Sequence, residues 1–234
     1  MIVAETVEYE GFVGYVARPP TDAPRPGIVL AHDWSGLNAG TRAAADRLAG
    51  MGHPCFAIDV YGASVRGDEL GDNSQLMQPL LDDRVELQRR LLIGLAAATR
   101  HPAFVEERVV TVGFCFGGLC ALDLARAAPP QLRGAISVHG VLRPPAFERR
   151  TAMHARVLLL HGWEDPFAPP QDVVAIAREL TEAGADWQLH AYGHALHAFT
   201  FDRAQQPERG LQHHALAERR AWLAIEHFLA ELLG

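Results

Sequence analysis

Cys115 lies in the run Gly113-Phe114-Cys115-Phe116-Gly117-Gly118, a Gly-x-Cys-x-Gly pattern. Residues 108–112 ahead of it are mostly apolar, and Leu119-Cys120-Ala121-Leu122 behind it reads as the start of a helix. A nucleophile carried on a tight strand-to-helix turn needs this layout, because the positions two before and two after it have no room for side chains. Gly113 and Gly117 meet that need. The turn strains the backbone of the nucleophile and lifts its side chain clear of the sheet. With 21 Gly and 3 Cys in 234 residues, chance supplies about 0.02 such matches per chain. The competing reading is a thiol packed as a small hydrophobe in a Gly-rich turn.

A thiol attacks only as its thiolate, so Cys115 calls for a base, and the base for an acid that orients it. Twelve histidines are available. His197 follows the last predicted strand and Asp165 follows the strand before it. The order nucleophile, acid, histidine is that of triads built on such elbows. Glu164 and His194 are the rivals for the two places. Attack on a carbonyl creates an oxyanion that needs two donors. One is the backbone N–H of Phe116, directly after the nucleophile. The other comes from the loop after the first buried strand, where counting points to the backbone N–H of Trp34. Asp33, next to it, has two roles open: a hydrogen bond that modulates the resting thiol, or a cap on its own loop.

These residues must be held by strands and helices. Residues 6–18 alternate around a Glu10-Gly11 turn and predict an antiparallel hairpin. Residues 27–31, 54–60, 109–114, 134–138 and 157–160 are predicted strands, mostly continuous apolar runs of the kind buried on both faces. Residues 187–192 alternate as a further strand. Helices are predicted over 41–50, 76–99 (interrupted near Pro79), 117–127, 171–183 and 212–233. Strand alternating with helix predicts an α/β fold in one domain, 1–234. Its central sheet is mostly parallel, with helices on both faces and the N-terminal hairpin at one side. Ligands in such sheets sit at the carboxyl ends of the strands, where each polar cluster above falls. Residues 62–71 form a loop long enough to overhang that edge.

Composition narrows the class. The chain is 49 % hydrophobic and 21 % charged with a net charge of −7, which gives a nucleic-acid or anionic-membrane partner no electrostatic support. No lysine occurs. No apolar run reaches the roughly 18 residues of a membrane span, and the first residues lack the regions of a signal peptide. Cysteines 55, 115 and 120 make neither a disulfide framework nor a CxxC pair, so a reducing cytoplasm is expected. His32, His161, His194 and His197 match no standard metal-ligand spacing. The expectation is therefore chemistry without metal or cofactor, in a monomer or homodimer.

The chain resembles the dienelactone hydrolase family of α/β-hydrolases from about residue 7 to residue 233. The resemblance rests on Ala31-His32-Asp33-Trp34-Ser35-Gly36-Leu37-Asn38, Gly113-Phe114-Cys115-Phe116-Gly117-Gly118, His161-Gly162-Trp163-Glu164-Asp165 and the stretch from Tyr192 through His197-Ala198-Phe199. It implies an α/β-hydrolase fold and a Cys-His-Asp triad at Cys115, His197 and Asp165. It also implies a thiol-modulating carboxylate at Asp33 in place of the family's usual glutamate. The family's prototype grips the carboxylate of dienelactone with two arginines. Here one of those positions is Phe201, with Arg203 two residues on; the other window, about 69–83, holds no arginine, and Arg66 and Arg84 are the nearest substitutes. Without a bidentate clamp a carboxylate substrate loses its main handle. The resemblance thus implies hydrolysis of a small ester or lactone more firmly than of dienelactone itself. Trp34, Phe116, Trp163, Phe167, Phe199 and Phe201 are the candidate walls of an apolar pocket. Two alternatives stay open: an acyltransferase on the same triad, and a non-catalytic binding or redox-sensing protein in which Cys120 resolves an oxidised Cys115.

Overall fold

The structure is a computed structural model describing residues 1–21, 23–145 and 152–234. Strands β1 (Val3–Tyr9) and β2 (Phe12–Arg18) form the hairpin, followed by β3 (Arg25–Ala31), α1 (Ala39–Ala49) and β4 (Cys55–Ile58). Next come α2 (Ser74–Asp82), α3 (Arg84–Arg100), β5 (Phe104–Phe114), α4 (Phe116–Ala127) and β6 (Leu132–Val138). The chain continues with β7 (Arg156–Gly162), α5 (Pro170–Glu182), β8 (Trp187–Tyr192), the short ribbon β9 (Gln205–Gln206) and β10 (Leu211–Gln212), and α6 (Ala215–Leu233).

Eight strands make one sheet in the order β1-β2-β4-β3-β5-β6-β7-β8. The β1–β2 and β2–β4 pairings are antiparallel and all others are parallel. The apolar runs of the inner strands serve two layers. Ile28 and Leu30, Val110 and Val112, Ile136 and Val138, and Leu158 and Leu160 pack with Leu48 of α1 and Ile225, Phe228 and Leu229 of α6. Val29, Val109, Ala135, Val157 and Leu159 pack on the other side with Leu91 and Leu95 of α3, Leu119 and Leu122 of α4 and Ile176 and Leu180 of α5. A strand facing two cores has no polar face, which is why these segments read as continuous hydrophobes.

The boundaries that differ most in consequence are these. The helical stretch expected over 76–99 is broken at Asp83 and not at Pro79, which lies inside α2. The Asp83 carboxylate accepts the Glu86 N–H at 2.9 Å and caps α3, and an N-cap residue is non-helical by construction. β5 begins at Phe104, ahead of the expected 109, with a register shift against β3. α6 begins at Ala215, because residues 205–212 form the ribbon and His214 caps the helix through Ala217 N–H. Among the described residues, no helix is long and apolar enough to cross a membrane.

Candidate active site

Cys115 follows β5 directly and precedes α4, with φ 56° and ψ −119°. A non-glycine residue held at such a φ is strained, and the surroundings enforce it. A Cβ on Gly113 would lie 1.9 Å from the Gly117 carbonyl oxygen, and one on Gly117 would lie 2.2 Å from that of Ala31. Both neighbours are backbone, so only glycine fits. The Cys115 N–H is shared between the Val138 carbonyl (3.1 Å) and His139 Nδ1 (3.2 Å). Phe116 is the first residue of α4, where a backbone N–H has no intrahelical acceptor and the helix dipole favours negative charge. Its ring is fully buried in the core.

The carboxyl ends of the neighbouring strands bring up the rest. Asp165 lies three residues past β7 and His197 in the loop after β8. A Cβ on Gly162 would meet the Ala195 and Leu196 carbonyl oxygens at 2.6 Å, so a glycine at the end of β7 lets the His197 loop close over it. The ribbon then holds His197: its N–H donates to Gly210 (3.0 Å) and its carbonyl accepts from Gln212 (3.1 Å). The His197 Nδ1–H donates to Asp165 Oδ2 at 2.7 Å, with both side chains buried. Asp165 Oδ1 accepts the Phe167 N–H at 2.8 Å, which fixes the carboxylate. The rival pair is also formed, His194 Nδ1 to Glu164 Oε1 at 3.0 Å, but the His194 side chain is 91 % exposed.

Electrostatics separate the histidines. Burial alone would lower the His197 pKa, but the charge of Cys115 and the bond to Asp165 outweigh it and push the pKa up to about 10. His139 goes the other way: burial, then the neighbouring His197 charge, pulls it well below the ordinary value. It is neutral by geometry too, since Nδ1 accepts from Cys115 and leaves Nε2–H to donate to Thr200 Oγ1 at 2.8 Å. The His139 and His197 rings meet edge to face, 5.2 Å between centroids. His139 belongs to no motif in the sequence. Its one signal was its place, directly after a buried strand, as Cys115 is.

A cavity of about 240 Å³ opens over Cys115, bordered by His197, Asp33 and Trp34 and walled by apolar groups including Phe114, Val141, Phe201 and Trp222. Trp34, Phe167 and Phe201 line it as expected; Phe116 and Phe199 are fully buried, and Trp163 lies outside it. Among the described residues, no acceptor takes the Trp34 N–H. Asp33 faces the cavity, and its Oδ1 accepts from the Ser35 N–H (2.8 Å) and hydroxyl. That is the loop-capping geometry, and no hydrogen bond joins this carboxylate to Cys115 among the described residues.

Three expected substrate contacts do not line the cavity. Arg66 donates to the Leu37 carbonyl (2.7 Å) and Asp59 Oδ2 (3.3 Å), pinning the loop between β4 and α2. Arg84 is buried in a bidentate pair with Asp123 of α4, at 2.6 and 2.7 Å. Phe199 is core, edge-on to His139 (5.1 Å) and Tyr192 (5.4 Å). In each case a partner inside the protein occupies the group. Arg203 does border the cavity, but it is ion-paired with Glu69 from the facing loop. Cys120 is buried, and desolvation holds its pKa well above the ordinary value, so it stays a thiol. His32, His161, His194 and His197 do not converge, and no three metal-ligating side chains gather among the described residues.

A strained cysteine between β5 and α4 is thus faced by a buried His–Asp pair from the loops after β7 and β8. The profile of the dienelactone hydrolase family matches residues 12–233. The chain belongs to the dienelactone hydrolase family. It is a hydrolase with the α/β-hydrolase fold. The dienelactone hydrolase-like promiscuous phosphotriesterase P91 from metagenomic libraries superposes with a TM-score of 0.93 at 31 % identity, over 100 % of this chain and 99 % of that one. A candidate carboxymethylenebutenolidase of Aquifex aeolicus is 24 % identical over 87 % of this chain and 90 % of its own length. The carboxymethylenebutenolidase homolog of Rattus norvegicus is 23 % identical, over 84 % and 79 % respectively.

Proposed function

We propose that this dienelactone hydrolase-family protein hydrolyses small uncharged esters or lactones, through a Cys115–His197–Asp165 triad and a thioester acyl-enzyme. The observation that carries this is the buried 2.7 Å His197–Asp165 bond beside a cysteine strained into a largely apolar cavity. Asp165 accepts the hydrogen bond from Nδ1–H, which leaves Nε2 of His197 to exchange a proton with Cys115. The raised pKa of His197 favours its protonated form beside Cys115.

The thiolate attacks the carbonyl carbon, an S–C bond forms, and the carbonyl electron pair moves onto oxygen. The N–H groups of Phe116 and Trp34 hold that oxyanion; one such donor contributes roughly 3 kcal/mol. Collapse breaks the C–O bond, and the leaving alkoxide takes its proton from His197. Water, deprotonated by His197, then attacks the thioester and releases the acid with Cys115 as the leaving thiolate. A reducing cytoplasm suits this chemistry, because it keeps the thiol reduced.

The charge pattern supports an uncharged substrate. Asp33 and Glu69 border the cavity, and its guanidinium, Arg203, is already paired. Among the described lining residues, an anionic acyl group would face a negative surplus with no free arginine fork. The likeness to P91 supports a second substrate class, neutral phosphotriesters, whose tetrahedral phosphorus would place its oxygen in the same hole.

Cys115→Ala tests the proposal. It is expected to abolish turnover of a p-nitrophenyl ester and of an aryl phosphotriester with the circular dichroism unchanged. Full esterase activity in that variant overturns the mechanism. Transfer of the acyl group to an added alcohol in preference to water would make the protein an acyltransferase.

A further inference from the structure

The backbone N–H of Trp34 has nothing in its own residue to aim it. The peptide that carries it also carries the Asp33 carbonyl, and that carbonyl accepts a hydrogen bond from the His32 ring at 2.6 Å. The other ring nitrogen of His32, Nε2, accepts the Val60 N–H at 3.2 Å. A nitrogen that accepts from an N–H carries no proton, so the tautomer is fixed. Nδ1 bears the hydrogen and donates it to Asp33. His32 is 2 % exposed, and its ring packs against Tyr61 (4.7 Å) and Phe116 (6.4 Å), so it has no freedom to turn away. Tyr61 adds a second tie, its hydroxyl donating to the Trp34 carbonyl at 3.0 Å.

In a planar trans peptide the C=O and N–H point in opposite directions, and the chain has no cis peptides among its described residues. Holding the Asp33 carbonyl against the buried ring therefore turns the Trp34 N–H away from the ring. A hydrogen bond to a peptide carbonyl also polarises the N–H of the same unit. We infer that His32 is a positioning residue for the oxyanion hole, a neutral imidazole that locks and polarises the 33–34 peptide from behind. This rests on the proposed role of Trp34 in the Cys115 mechanism. Its ring hydrogen bonds go to Asp33 and Val60 and not to Cys115, so His32 acts through the peptide.

The device needs one donor and one acceptor in a fixed direction, not an imidazole as such. A glutamine amide has both: its NH₂ can reach the Asp33 carbonyl and its oxygen the Val60 N–H. A leucine of similar bulk has neither. The experiment is His32→Leu and His32→Gln with two readouts, steady-state hydrolysis of a p-nitrophenyl ester and the rate of Cys115 alkylation by iodoacetamide. Alkylation requires the thiolate but forms no oxyanion, so it reports on the triad alone.

His32→Leu is expected to lower kcat about 10- to 100-fold, short of the full loss of an oxyanion donor, with KM and alkylation within about threefold of wild type. His32→Gln is expected to recover kcat to within about threefold. Wild-type kcat in His32→Leu overturns the inference and leaves the triad standing. If the leucine variant does not fold, His32→Gln decides: a folded variant with normal alkylation and lost turnover overturns it equally. Unaltered ester hydrolysis in Cys115→Ala, by contrast, would remove the mechanism on which the inference rests.

Discussion

Glu69→Gln isolates what selects the substrate. Glu69 uses its two oxygens for different tasks: Oε1 accepts the Gly40 N–H at 3.1 Å, near the start of α1, and Oε2 pairs with Arg203. Glutamine keeps an acceptor for Gly40 and removes only the charge. In the wild type a carboxylate substrate must displace Glu69 from Arg203. The displaced pair is half exposed, with Arg203 at 50 %, so losing it costs about 0.2–1 kcal/mol. The new charge-assisted bond returns about 1.5–3 kcal/mol, but Glu69 stays close and repels the newcomer. The substitution removes both offsets, a net gain of about 1–2 kcal/mol, or about 5- to 30-fold. The assay compares kcat/KM for two p-nitrophenyl esters, one ending in a free carboxylate and the other in its methyl ester. The ratio of the two is expected to shift 5- to 30-fold toward the anion and to shrink in about 0.5 M salt, because exposed charges are screened. A ratio that moves less than twofold, or an equal gain on both esters, refutes the argument that this pair sets charge preference.

Asp165→Asn leaves the shape of the site, but with its oxygen held by the Phe167 N–H it turns an NH₂ donor toward His197 Nδ1; kcat is expected to fall about 10²- to 10⁴-fold with little change in KM. In Cys115→Ala the His197 pKa is expected to fall below its wild-type value of about 10, since the cysteine charge is the largest upward influence and burial remains; an NMR titration of the ring protons reads this directly. The same shift sets a stability profile. A folded-state pKa raised above the unfolded value of about 6.5 stabilises the protein fully below that pH and loses the contribution as pH rises through about 10. The wild type should lose thermal stability over that window more steeply than Cys115→Ala. Away from the site, Asp123→Asn strips the buried Arg84 and Arg126 of their shared carboxylate, at 2.6 and 2.9 Å. It is expected to cost about 3–5 kcal/mol, read as a lowered urea midpoint.

Which features were legible in the sequence follows from how local their causes are. Gly113 and Gly117 are readable because the contacts that demand them come from one turn and the strand beside it. The inner strands are readable because a segment with a core on each side is mostly apolar, with only isolated polar residues such as Thr111 and Ser137. Asp165 and His197 stand out by order along the chain, but the rivals Glu164 and His194 sit one and three residues away and also pair. Burial separates them, and burial is a property of the assembled sheet. Arg66, Arg84 and Phe199 escaped for a related reason. The carboxylate that occupies Arg84 is 39 residues away, and nothing local to Arg84 announces it. Residues 205–212, which clamp His197, are too short a ribbon to leave an alternating pattern.

The histidines carry that reasoning furthest. In the sequence His32, His139 and His197 are equivalent, three of twelve. In the structure each is buried, so desolvation pushes all three toward the neutral form. What distinguishes them is what each ring nitrogen faces. His139 Nδ1 and His32 Nε2 each accept a backbone N–H, so each ring has room for one proton only and stays an uncharged peg. His197 faces a carboxylate on one side and the cysteine on the other, two groups that reward a second proton. A single fold thus sets two neutral imidazoles around one that can be charged. The partner of each nitrogen follows from the strand ends that surround it: Val60 just past β4, Cys115 at the end of β5, and Asp165 past β7. The sheet assigns the protonation states, and through them separates the candidate base from the two rings that hold backbone in place.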